Sequence, residues 1–74
     1  MAYLAVNNDG KEVRFDGKYR PFRWEGRWYQ SSDNSKFVEG RSITLCNVGK
    51  TQPFGTIIAL TGQKITFEDE PIKI

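Results

Sequence analysis

Between Arg14 and Tyr29 this chain crowds six of its ten aromatic side chains together with five Lys or Arg residues. Residue types in that mixture support three kinds of chemistry. An exposed ring stacks on a nucleobase while a neighbouring cation neutralises phosphate, each stack being worth about 1–3 kcal/mol. Tyr, Trp and Arg are also the side chains enriched at the centres of protein–protein interfaces. The third use is structural, because a very small domain needs large rings to build a core, and alternation of rings with Arg is the ordinary inside–outside pattern of a strand. The candidate binding residues are Lys18, Tyr19, Arg20, Arg23, Trp24, Arg27, Trp28 and Tyr29. Core packing is the first reading for most of these rings; among functions, a protein partner comes first, single-stranded nucleic acid second, and a structural component of a particle or oligomer third.

Other chemistries lack their groups. The chain has no histidine and a single cysteine, Cys46. An intramolecular disulfide and a Cys/His zinc site are therefore excluded, and so is the commonest general base and activator of a Ser or Cys nucleophile. Gly49-Lys50-Thr51 imitates the end of a phosphate-binding loop, but Thr44 stands where that loop requires glycine. Glu68-Asp69-Glu70 reads as a solvated turn, since no Asp-x-Asp-x-Asp-Gly pattern converges ligands on a hard cation. Asp9, Glu12, Asp16 and Glu25 all lie beside turns, and nothing pairs two of them in a cleft. The expectation is a protein that is not an enzyme and uses no cofactor or metal.

The net charge of +2 is too weak to demand a polyanionic partner, yet its distribution is uneven. Over residues 17–30, Lys18, Arg20, Arg23 and Arg27 face Glu25 alone. The first residues, Met1 to Asn7, carry neither the basic start nor the apolar length of a signal peptide or membrane span. A cytoplasmic protein with no membrane partner is expected. With 74 residues the chain makes one domain, 1–74, burying only about 60% of the surface its unfolded form exposes.

The elements that must position these residues are short and β-prone. Tyr3 to Val6 and Glu12 to Phe15 flank Asn7-Asn8-Asp9-Gly10-Lys11, whose Asp-Gly supplies the positive-φ positions of a hairpin loop. Asp16-Gly17 turns the chain out, and Pro21 holds Arg20 extended. Phe22-Arg23-Trp24 and Arg27-Trp28-Tyr29-Gln30 around Glu25-Gly26 predict a second hairpin, with Trp24 and Trp28 near one another. The polar tract Ser31 to Ser35 reads as a mobile loop, Phe37-Val38 and Ser42 to Cys46 as strands, and Asn47 to Lys50 as the closing turn. Thr56 to Thr61 fits either a strand or a short helix with Thr56 as N-cap and Gly62 at its end. Lys64 to Glu68 alternates as a strand does, and Ile72 to Ile74 forms a last strand that, because Pro71 cannot donate to a ladder, lies at an edge or begins right after the Pro.

Both ends of the chain resemble a group of very small uncharacterised proteins of gut bacteria and their phages. The likeness rests on Tyr3-Leu4-Ala5-Val6 with Asp9-Gly10-Lys11-Glu12, and on Pro53-Phe54-Gly55-Thr56-Ile57 through Leu60-Thr61-Gly62 to Thr66-Phe67-Glu68-Asp69-Glu70-Pro71. It implies no activity, cofactor or site residue. It does imply a helix at Thr56 to Leu60, since the related pattern places Glu and Lys where this chain has Ile58 and Ala59, and it implies a phage or mobile-element origin.

The fold expected is mostly β (α+β): a small antiparallel bent sheet or barrel of about five to six strands, with one short helix near residues 56–61. Leu4, Val6, Val13, Phe15, Ile43, Leu45, Ile65, Phe67 and Ile72 form its expected core. The function expected is non-enzymatic binding by a phage or mobile-element accessory protein in the cytoplasm of a bacterial or phage-infected cell.

Overall fold

The structure, a computed structural model, describes residues 1–31 and 46–74. The strands expected at Phe37-Val38 and Ser42 to Leu45, the core positions Ile43 and Leu45, and the tract from Ser32 to Ser35 lie outside the described residues. Cys46 is half-buried with a free thiol.

Six strands and one short helix make a small, mostly β fold among the described residues. In chain order they are β1 (Ala2–Val6), β2 (Glu12–Asp16), β3 (Phe22–Trp24), β4 (Arg27–Tyr29), β5 (Lys50–Thr51), α1 (Thr56–Thr61) and β6 (Ile72–Lys73). One antiparallel sheet has the order β5-β2-β1-β6, and β3 pairs with β4 as a separate ribbon. The first hairpin closes as its turn residues dictate. Asn7 N–H donates to the Lys11 carbonyl at 2.9 Å, Lys11 N–H donates to the Asp9 carboxylate at 3.0 Å, and Gly10 takes φ 87°. The second hairpin turns through Glu25 and Gly26, both at positive φ, which matches the twist of two-residue hairpins.

Strand β1 is buried along its whole length because the sheet is covered on both faces. Tyr3 and Ala5 share one face with their cross-strand partners Phe15 and Val13, and Trp28 of β4 closes over them. Leu4 and Val6 point the other way, against Ile57 of α1. The four expected core residues of this hairpin are thus buried on two opposite faces rather than one. Ile65 and Ile72 pack half-buried against the Leu4 cluster, and Phe67 packs half-buried against the Trp28 cluster.

Three local expectations are corrected. Lys64 to Glu68 forms no strand. Its apolar side chains pack onto two different clusters, Ile65 with Leu4 and Phe67 with Trp28, and the segment ends in a turn where Thr66 N–H donates to the Asp69 carboxylate at 2.8 Å. Helix α1 begins at Thr56 with Gly55, not Thr56, as its N-cap; Gly62 ends it at φ 75°, donating its N–H to the Ile58 carbonyl at 2.9 Å. Lys50, read as the end of a turn, joins Thr51 in an edge strand added to β2.

That added strand depends on Gly49. Its φ is 78°, and a Cβ there would lie 3.0 Å from the Phe15 ring and 3.1 Å from the Arg14 carbonyl. Strain and overpacking act together at this position. Gly49→Ala is expected to lower stability by about 1–3 kcal/mol, read as a lower urea midpoint at unchanged slope.

Candidate binding surfaces

The β3–β4 ribbon sorts the basic and aromatic block onto two faces. Arg23 and Trp28 are cross-strand partners facing the sheet, while Phe22–Tyr29 and Trp24–Arg27 form the pairs of the other face. Trp28 is 2% exposed. Its indole N–H donates to the Val6 carbonyl and its backbone N–H to the buried Asn7 side chain, both at 2.9 Å, so both of its N–H donors are satisfied inside. On the opposite face Tyr29 is buried between Phe22 and Trp24, with ring centroids at 6.2 and 5.9 Å.

The arginines hold the C-terminal segment. The Arg23 guanidinium lies 5.0 Å from the centre of the Trp28 ring and 5.7 Å from that of Phe67, and it donates to the Phe67 and Glu68 carbonyls. Arg23 and Arg20 also grip the two oxygens of Glu70, at 3.1 and 3.0 Å. Exposed pairs of this kind contribute about 0.2–1 kcal/mol each, so their main effect is to position the segment that follows Ile65. Lys18 lies 5.5 Å from the centre of the Tyr19 ring. Lys18 and Arg27 are exposed, and neither is in an ion pair among the described residues. Tyr19 and Trp24 are half-buried.

The eight residues singled out from the sequence are therefore neighbours in space with divided duties. Trp28 and Tyr29 offer no ring face to a base or partner in this packing. Arg20 and Arg23 already face a carboxylate. What this surface leaves outward is Lys18 and Arg27, beside the partly covered Tyr19 and Trp24.

A second surface was not singled out from the sequence. An open groove of about 550 Å³ runs between the first hairpin turn, the start of α1 and the 63–68 segment, lined on its apolar side by Val6, Phe54, Ile57, Ile58, Ile65 and Phe67. Phe54 is 97% exposed, and Ile58 and Leu60 are 51% and 59% exposed. Glu12 builds this site from below. Its buried carboxylate accepts from the N–H groups of Gly55 and Ile57, both at 2.7 Å, tying the start of the helix to β2. The signal for this surface lay in the helix itself. Thr56-Ile57-Ile58-Ala59-Leu60-Thr61 is apolar on every side, yet a six-residue helix on a sheet buries one stripe, here Ile57 alone.

Among the described residues no group of three or more His, Cys, Asp or Glu side chains is placed to hold a metal ion. No helix among them is long and apolar enough to cross a membrane. Comparison with protein-family models, with curated proteins and with solved structures found no match.

Proposed function

We propose that this protein is a non-enzymatic binding protein that engages another protein chain through the apolar face presented by the Pro53–Gly55 turn and the start of α1. The observation that carries this reading is Phe54, a large ring 97% exposed at the mouth of an apolar groove and flanked by Ile58. Contiguous apolar surface of this kind marks interaction sites, and an aromatic anchor beside a pocket is the usual centre of a protein interface. The resemblance of both chain ends adds a setting, that of a phage or mobile-element accessory protein in a bacterial cytoplasm. The absence of His and of paired Cys supports a role without turnover.

Single-stranded nucleic acid is the competing partner for the 17–30 segment. Two of its four cations are occupied by Glu70 and two of its rings are buried, which disfavours it. The test sets the two surfaces against each other. Capture of protein partners from the native host is expected to fail with Phe54→Asp and to survive Arg27→Ala. Fluorescence anisotropy is expected to show no saturable binding of single-stranded oligonucleotides at physiological salt. Tight oligonucleotide binding whose log–log salt slope flattens by about 0.7 on Arg27→Ala would move the function to the basic segment.

A further inference from the structure

We infer that the chain seated on this apolar face is a second copy of the protein, the two related by a two-fold axis so that Phe54 of each enters the groove of the other. The inference rests on the protein-binding reading above and adds the identity of the partner. A two-fold interface brings one patch against itself, so it forms where a single face carries both a projection and the hollow that receives it. Phe54 is the projection, standing 97% exposed. The hollow lies beside it, about 550 Å³ and floored by Ile57, Ile65 and Phe67, within the size range of cavities that enclose small ligands and roomy enough for one aromatic side chain.

Charge points the same way. Lys64 and Glu68 both line the groove, and neither is in an ion pair among the described residues. The third charged group there, Glu12, is taken up by the N–H groups of Gly55 and Ile57. A face of one sign repels its own copy across a two-fold axis. One cation and one anion instead let Lys64 oppose Glu68 of the partner subunit twice over, while giving a strongly acidic or basic foreign chain nothing to select. A standard interface takes about 800 Å² from each partner, roughly a sixth of this molecule's surface of 5019 Å². Phe54 supplies about 150–250 Å² of that as the apolar centre.

Sedimentation equilibrium of the untagged protein, from micromolar to millimolar concentration, tests this. The mass is expected to rise from the monomer value of 8.5 kDa toward twice that. Phe54→Asp is expected to stay monomeric throughout with an unchanged thermal midpoint, since an exposed ring contributes little to folding. Lys64→Glu is expected to weaken association about two- to fivefold, and adding Glu68→Lys to restore it. Leu60→Ser, on the same helix but outside the groove, is expected to leave it unchanged. A wild-type protein monomeric over the whole range overturns the inference. Equal loss with Leu60→Ser does so too, because it would report unspecific apolar clustering, and failure of the double charge swap overturns the two-fold arrangement. Should wild type stay monomeric while Phe54→Asp still abolishes capture of a different chain, the second copy is excluded and the protein-binding reading stands. If Phe54→Asp changes neither mass nor capture, both fall.

Discussion

Trp28→Ala is expected to destabilise the fold by about 3–5 kcal/mol, the usual cost of removing a large buried ring without collapse of the space around it. Trp28 is among the largest fully buried side chains, and it closes one face of the sheet over Tyr3, Ala5, Val13 and Phe15. The substitution also strips the Val6 carbonyl of its indole donor and removes the ring beneath Arg23. A domain of this size has a total stability of about 4–11 kcal/mol, so the variant sits near the unfolding threshold. Circular dichroism during urea denaturation measures the change without relying on the missing fluorophore. Trp24→Ala removes a half-buried ring at the outer face and is expected to cost much less. Equal midpoints for wild type and Trp28→Ala would show that the ring is not a core element and would return it to the list of binding residues.

Glu12→Ala is expected to cost about 3 kcal/mol or more. Hydrogen bonds to a charged acceptor are worth about 1.5–3 kcal/mol each, and the Glu12 carboxylate accepts two, from Gly55 and Ile57. Removing it leaves the Ile57 N–H buried with no acceptor. A helix of six residues has no stability of its own in water, so its attachment to β2 is what keeps it folded. Glu12→Gln retains one acceptor oxygen and is expected to lose roughly half as much. Hydrogen exchange at Ile57 gives a local readout. Its protection should collapse in Glu12→Ala even under conditions where the sheet amides remain protected, and protection equal to wild type would remove Glu12 from this role. The same variant should lose association through Phe54, because the turn that displays the ring is held by Gly55.

The turns of this protein were legible because their determinants lie within a few residues of one another. Gly10 and the pair Glu25-Gly26 supply positive φ where slightly longer and two-residue hairpin loops need it, and both hairpins form as expected. Gly62 ends α1 for the same reason, and Pro71 leaves β6 at the edge of the sheet. Apolar alternation located Leu4, Val6, Val13 and Phe15 as core, although which face each pair takes follows from the strand pairing. Alternation misled at Lys64 to Glu68. Alternation implies that Ile65 and Phe67 share one sheet face, and no local pattern records that they pack instead against two different clusters, those of Leu4 and of Trp28.

The binding surfaces divide along the same line. Composition alone marked residues 17–30 as rich in rings and cations, and it excluded histidine chemistry and an intramolecular disulfide. Whether those groups face solvent was decided by residues far along the chain. Glu70, about fifty positions away, takes Arg20 and Arg23, and the Val6 carbonyl and Asn7 side chain draw Trp28 into the core. Phe54 and Ile58 became surface for the complementary reason. Glu12 fixes the start of a helix too short to bury more than Ile57, so apolar residues that composition would assign to the core remain in solvent. Local backbone preference acts over a few bonds and is written in neighbouring residues, whereas burial and charge neutralisation are settled by whichever groups the folded chain brings within a few ångströms.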